Sequence, residues 1–287
     1  MIKFHEDPDL FQEAVSLTVA ETAFSARLIE KDYFCSVLLE DLTSQAKKRL
    51  VFKGGTCLAK VHADFYRMSE DLDFAIPMPV DSSRSERREQ MVELKEAFLE
   101  LPHRLSCFQI VEQLEGASNS TQYCGRVGYI SLLDNQMHNI SIEISLREPL
   151  RTAYLFGKAR TILLDPVSGL PGVNPVAVNS ISKPEATAEK FRAALTRREA
   201  AIRDFYDLDY LVRKHGLEPE DEELITLVKN KLIVPGNEPI DIGVDRLTHL
   251  RSQLDSRLKP VLRERDFSEF DLDRAYEMVA RMGQLVI

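Results

Sequence analysis

The sequence predicts an α+β protein, with a mixed sheet and flanking helices over residues 1–175 and a helical C-terminal half over residues 176–287. Three observations carry this. Residues 49–76 read as strand, tight turn, short helix and second strand. Residues 105–147 hold enough alternating apolar and polar sequence for three strands. Helix-forming sequence then runs from 184 to the end, broken near Pro235-Gly236-Asn237. Between the halves lies a loop rich in Pro and Gly, from Asp165-Pro166 to Pro175.

Taken in order, residues 8–45 form two helices, the first opened by Asp7-Pro8. Leu50, Val51 and Phe52 make an apolar strand that ends in Lys53-Gly54-Gly55-Thr56, a turn entering a helix. The next strand carries Ser69-Glu70-Asp71-Leu72-Asp73. Strand side chains alternate with period two, so Asp71 and Asp73 leave one face roughly 6–7 Å apart. Leu72, Phe74 and Ile76 occupy the opposite face and should pack on the core. Ser83-x-x-Glu86 reads as a capping box opening a charged helix to about Glu100. Turns near Gly116-Ala117-Ser118-Asn119 and Asp134-Asn135 divide the strands that follow. In the last of them, Ile140, Ile142, Ile144 and Leu146 alternate with polar residues, and Glu143 lies on the polar face.

The chemistry follows from these positions. Two carboxylates on one strand face suit a hard cation such as Mg²⁺, which takes oxygen ligands and keeps waters and phosphates around it. A Gly-Gly turn lets backbone N–H groups approach a phosphate closely. If the strand of Glu143 pairs beside that of Asp71 and Asp73, a third carboxylate joins the site. Each piece has an ordinary alternative: plain turn chemistry for the glycines, solvated strand residues for the acids. Combined in one strand-turn-helix-strand unit, they give the layout of a nucleotidyltransferase. No Walker-type or dinucleotide-type glycine loop is present.

A second motif spans Pro184 to Leu211. Lys190, Arg197 and Arg198 put cations on one helix, and Asp204 and Asp207 are i, i+3 neighbours on the next, which sends Phe205, Leu208 and Leu211 to the core. The plain reading is a helix pair with surface ion pairs, each worth about 0–1 kcal/mol.

Composition bounds the rest. The chain carries a net charge of −9, against generic nucleic-acid coating, yet residues 147–214 hold twelve Lys/Arg against eight Asp/Glu, leaving −13 for the remainder. A positive wall facing an acidic metal site would suit a polyanionic acceptor and the NTP; solvated charges on a helix hairpin are the other reading. No apolar run is long enough for a membrane span, and the N-terminus lacks a signal peptide's apolar core. Cys35, Cys57, Cys107 and Cys124 lack metal-site spacing, so reduced thiols in a cytoplasmic protein are expected, with Cys57 a packed small residue. His5, His62, His103, His138, His215 and His249 are scattered and read as structural or surface residues.

The order Gly-Gly, Ser-Glu-Asp-x-Asp, Ile-x-x-Glu, Lys-x-x-Ala and Arg-Asp-x-x-Asp resembles the AbiEii/AbiGii toxin family of nucleotidyltransferases, which includes the MenT-type toxins of toxin–antitoxin systems. The likeness covers most of residues 26–212, with Glu30-Lys31-Asp32-Tyr33 upstream, Arg67 before the acidic motif, and Lys95-Glu96 to Glu100 fitting a weak charged element. It implies a polymerase-beta-like nucleotidyltransferase core. It also implies that Gly54, Gly55 and Thr56 bind phosphate, with Arg67, Ser69 and Lys190 on the nucleotide. Asp71, Asp73 and Glu143 would hold metal, with Asp71, Asp73, Lys190 and Asp204 as the catalytic set. Arg67 could instead pair with Glu70 or Asp71. The spacing before Ile202-Arg203-Asp204 leaves open whether Arg197 or Arg198 fills the family's arginine position.

The resemblance implies magnesium-dependent transfer of a nucleoside monophosphate from an NTP, with Mn²⁺ as the other candidate ion. Two ions roughly 3.5–4 Å apart would clamp the attacking and leaving oxygens. Lys190, at a cleft between the halves, would neutralise the leaving pyrophosphate, and Asp73 or Glu143 would take the acceptor's proton. The implied acceptor is the 3′ end of tRNA, blocking translation, and the implied partner is a cognate antitoxin, with no membrane. Two alternatives stand: a nucleotidyltransferase or phosphotransferase acting on a protein or small molecule, and a non-catalytic, nucleotide-responsive binding module.

Overall fold

The computed structural model describes residues 3–46 and 49–287. The chain divides into two compact units, Met1–Leu150 with Tyr154–Ile181, and Arg151–Ala153 with Ser182–Ile287.

The first unit begins with helices α1 (Pro8–Thr22) and α2 (Ala26–Gln45). Asp7 caps α1 by accepting from the Leu10 amide at 3.1 Å, with Pro8 in the first turn, as the sequence indicated. Ala23, in the left-handed region at φ 61°, ends α1. On α2, Phe34 stacks on Tyr129 with ring centroids 4.0 Å apart, tying the helix to the sheet.

Strand β1 (Val51–Lys53) runs into α3 (Gly54–Cys57), which continues through a wider turn at Leu58–His62, and β2 is Leu72–Ala75. Leu72, Phe74 and Ile76 are buried, as the alternation required. The capping box forms in both directions: Ser83 Oγ accepts from the Glu86 amide at 3.2 Å, and Glu86 accepts from the Ser83 amide at 2.6 Å. The helix it opens is interrupted at Met91, giving α4 (Arg84–Gln90), α5 (Val92–Leu99) and the short α6 (Leu101–Arg104). Strands β3 (Phe108–Ala117), β4 (Gln122–Ile130) and β5 (Met137–Ser145) follow in the expected interval.

Two further strands, β6 (Leu155–Ala159) and β7 (Val176–Ser180), complete a seven-stranded sheet in the order β3-β4-β5-β2-β1-β7-β6. The pairs β2–β5 and β1–β7 are parallel and the others antiparallel, so the sheet is mixed. The Pro- and Gly-rich segment therefore connects two strands of one sheet. A boundary at 175/176 falls before β7, whose pairing with β1 keeps that strand in the first unit.

The second unit is helical. Ser182 caps α7 (Lys183–Thr196), and α8 (Ile202–His215) ends on Gly216 with Arg213, Lys214 and His215 in its last turn. Helices α9 (Glu222–Leu232), α10 (Val244–Arg251), α11 (Glu264–Ser268) and α12 (Leu272–Val286) follow. Phe191, Leu195, Phe205, Leu208, Leu211, Val228, Val279 and Met282 are among its buried apolar residues. Among the described residues, no helix is long and apolar enough to cross a membrane.

Candidate active site

One cross-strand row organises the first unit's site. Lys53 on β1 opposes Asp73 on β2, Asp73 opposes Glu143 on the parallel β5, and Glu143 opposes Cys124 on β4. Neighbouring strands lie about 4.8 Å apart, so register alone sets the Asp73 and Glu143 carboxylates side by side. Each is half-buried, between fully buried neighbours: Leu72 and Phe74 around Asp73, Ile142 and Ile144 around Glu143. Asp71, immediately before β2, is exposed.

The Gly-Gly turn closes against this row. Gly54 has φ +73°, and a Cβ there would overlap the Asp73 carboxylate, coming within 2.8 Å of its Cβ and Cγ. A Cβ on Gly55 would lie 2.6 Å from Arg67 Nη2 and 3.1 Å from Ser69 Oγ. Both glycines thus have packing reasons, and Gly54 has a conformational one as well. Arg67 is buried, and its Nη1 donates to the Met68 carbonyl at 3.1 Å, which fixes a guanidinium against the turn. Thr56 is also buried, and its hydroxyl donates to the Asp71 carbonyl. That bond ties the turn to the start of the acidic strand.

The Glu30-Lys31-Asp32-Tyr33 segment supports the sheet from α2 with buried polar contacts. Glu30 accepts from Ser131 Oγ at 2.7 Å and from the Leu132 amide at 2.8 Å. Burial raises its carboxyl above the ordinary value, against those two bonds. Asp32 pairs with the buried Lys60 at 2.5 Å and accepts from Thr161 Oγ1 and the Ile162 amide. Lys31 donates to the Asn139 carbonyl at 2.5 Å, just upstream of Glu143. Glu70 pairs with Arg27 at 2.9 Å. Lys95, Glu96 and Glu100, the weak charged element, are exposed around α5 and join none of this.

In the second unit, Lys190 lies 2.7 Å from Asp204 and 2.8 Å from Asp207, and Arg197 reaches Asp204 at 2.9 Å. Arg197 is the one of the two adjacent arginines that makes this contact. These are not surface pairs: the side chains of Lys190, Asp204 and Asp207 are 14 %, 4 % and 0 % exposed. Lys190 and the two carboxylates are buried, and Arg197 reaches Asp204 from an exposed position.

Sequence reasoning missed Lys53 and Cys124. Both were readable from alternation once β1 and β4 were aligned with the acidic strands. The Cys124 thiol is exposed, and its pKa is raised by partial burial and by the Glu143 and Asp73 charges beside it. All four cysteines are free thiols, with Cys35 and Cys57 buried.

A divalent cation fits the donor chemistry of this row. Among the described residues no three His, Cys, Asp or Glu side chains already converge as a cage. Asp71, Asp73 and Glu143, expected to hold metal together, are therefore not a preformed cage; a Mg²⁺-type ion that arrives with substrate phosphates and waters needs only one or two of them at a time.

Comparison with known proteins places the chain. Residues 37–282 match the family described as nucleotidyl transferase AbiEii toxin, type IV toxin–antitoxin system. The chain belongs to the AbiEii nucleotidyltransferase toxin family. No curated protein matches the sequence. Among solved structures, JHP933 from Helicobacter pylori is similar at a TM-score of 0.50 and 16 % identity, over 92 % of this chain and 93 % of that one. A second H. pylori structure, carrying a provisional nucleotidyltransferase label, gives 0.46 and 16 % over 91 % and 90 %. The AbiEii toxin is therefore an NTP-dependent enzyme, and its family brings an antitoxin partner of type IV.

Proposed function

We propose that this toxin transfers a nucleoside monophosphate from an NTP to the 3′ end of tRNA, with Mg²⁺ at Asp71, Asp73 and Glu143. The observation that carries it is the Lys53–Asp73–Glu143 row, with the Gly54–Gly55 turn packed against Asp73. A metal ion there supplies charge neutralisation at the α-phosphate and lowers the pKa of a coordinated hydroxyl.

The protein's own groups do the rest. Backbone N–H groups of Gly54, Gly55 and Thr56 hold the β- and γ-phosphates, with Arg67 adding positive charge beside the turn and Ser69 a hydroxyl. Asp73 or Glu143 accepts the proton from the attacking acceptor hydroxyl. The acceptor oxygen bonds to the α-phosphorus, the bond to the β-phosphate oxygen breaks, and pyrophosphate leaves. For Lys190 the reading rests on the resemblance of the Lys-x-x-Ala and Arg-Asp-x-x-Asp pattern; its pairing with Asp204 and Asp207 lies within the second unit. Catalysis of this kind is positioning plus electrostatics.

The test is label transfer. Wild-type protein and Asp71→Ala each meet α-labelled ATP, CTP, GTP and UTP separately, with Mg²⁺ and total tRNA. Label on tRNA that requires the metal and is lost in the variant supports the reading. Label on protein or on a small molecule moves the acceptor elsewhere. A folded Asp71→Ala variant with full activity overturns the metal assignment.

A further inference from the structure

The segment Tyr154-Leu155-Phe156-Gly157-Lys158-Ala159-Arg160 forms the outermost strand, β6, and its approach. Period two puts Tyr154, Phe156, Lys158 and Arg160 on one face of it. The two rings meet edge-on, with centroids 5.7 Å apart and an interplanar angle of 83°. Tyr154 is 44 % and Phe156 78 % exposed. A Phe buried in a core contributes about 1.5–3 kcal/mol, and an aromatic pair held out in water forgoes that, which marks a contact surface.

Register shows which sheet face this is. Phe156 opposes Asn179, Asn179 opposes Val51, and Val51 opposes Ala75. Val51 and Ala75 are each two residues along their strands from Lys53 and Asp73, so they share the face of the carboxylate row. The aromatic pair therefore lies on the proposed catalytic face, three strand spacings, about 14 Å, from β2. On the other face of β6, Leu155 is exposed while Gly157 and Ala159 look inward: a Cβ at Gly157 would meet Val61 and Ser180.

Charge selects the occupant. No Asp or Glu occurs between Glu148 and Asp165, while Lys158 and Arg160 follow the rings on the same face. Lys158 is exposed, and Arg160 also pairs with Asp64 at 3.0 Å. Exposed rings with cations in line are the elements by which proteins hold single-stranded nucleic acid: bases stack on the rings and phosphates meet the cations.

We propose that Tyr154 and Phe156 form a stacking platform for unpaired bases of the acceptor's single-stranded end, with Lys158 meeting its backbone phosphates. This rests on the acceptor being nucleic acid, as proposed above. The platform orients the strand on the face where its terminal hydroxyl reacts.

The experiment uses the full chain, a fluorescently labelled unstructured RNA oligonucleotide, a blunt RNA duplex and labelled NTP. Wild type is compared with Tyr154→Ala/Phe156→Ala and Tyr154→Phe/Phe156→Tyr. Anisotropy gives Kd at fixed salt, and light scattering gives oligomeric state. The alanine pair should weaken binding of the single strand by about 5- to 100-fold. It should leave duplex and NTP affinities unchanged, and the aromatic swap should restore binding. Equal single-strand affinity in wild type and the alanine pair, with label still transferred to tRNA, overturns the platform and leaves the acceptor reading standing. Wild type that neither binds RNA nor labels it overturns both. A change of oligomeric state with RNA binding intact makes β6 a protein-pairing edge and overturns the proposal.

Discussion

Replacing Gly54 by Ala tests the link between backbone geometry and chemistry. At φ +73° an L-residue pays roughly 1–2 kcal/mol for the left-handed conformation. The new methyl would also stand 2.8 Å from Asp73 Cβ and Cγ, where ordinary contact begins near 3.4 Å. The Asp73 side chain must therefore retreat by about 0.6 Å or more, and misplacing a reacting group by about 1 Å can lower the rate about 100-fold. Gly169→Ala is the matched control: φ is +68° with nothing within 4 Å of the added carbon, so it carries the strain without the intrusion. Urea unfolding should show both variants destabilised by similar small amounts. Transfer of α-labelled nucleotide should collapse by about two orders of magnitude in Gly54→Ala alone. Equal activity in the two variants would refute the claim that the turn positions Asp73.

Other consequences can be measured with the same protein. Glu143→Gln should lower transfer by about 100-fold or more if Glu143 takes the acceptor's proton. The same change removes a charge that raises the Cys124 pKa, so iodoacetamide should alkylate Cys124 faster; an unchanged rate would place the two side chains apart. Asp207→Asn removes the fully buried one of Lys190's two carboxylate partners and should destabilise the fold by about 1–3 kcal/mol in urea, Asp204 remaining; a loss under about 0.5 kcal/mol would make the contact equivalent to a surface pair. Glu30 titrates above its ordinary value of 4.5 in the folded chain. Between that value and the raised one the folded state holds a proton the unfolded state has released, so stability falls as pH rises through the window. Melting curves of Glu30→Gln should lack this fall, and parallel pH profiles for the two proteins would exclude it.

The strands of the site were legible because half-buried strands advertise themselves by alternation. Leu72–Ile76 and Ile140–Leu146 announce both their existence and which residues point away from the core. Strands β6 and β7 were not legible. Leu155–Ala159 is an edge strand with little buried side-chain pattern, and Val176–Ser180 sits directly after a run of Pro and Gly that reads as a boundary. It pairs with β6 on one side and, on the other, with β1, a partner more than a hundred residues upstream that no local pattern reports. Glu30 and Asp32 show the same limit in a helix. Acids on a helix read as solvated, and only Ser131, Leu132, Lys60 and Thr161 reveal them as buried ties. For Lys190, Asp204 and Asp207 the spacing identified the partners, but their burial depended on tertiary packing. That Arg197 rather than Arg198 contacts Asp204 needed a distance.

The parallel pairing of β1 with β7 has a consequence for a nascent chain leaving the ribosome. Gly54, Asp73 and Glu143 have all been synthesised well before Val176, yet until β7 arrives β1 is a three-residue strand supported on one side only. Parallel, long-range pairings form slowly because they close long loops before any contact rewards them. The Lys53–Asp73 contact is therefore secured late, after residue 180 is available to the fold. The Lys53–Asp73–Glu143 row is thus complete only once the sheet has closed around β1.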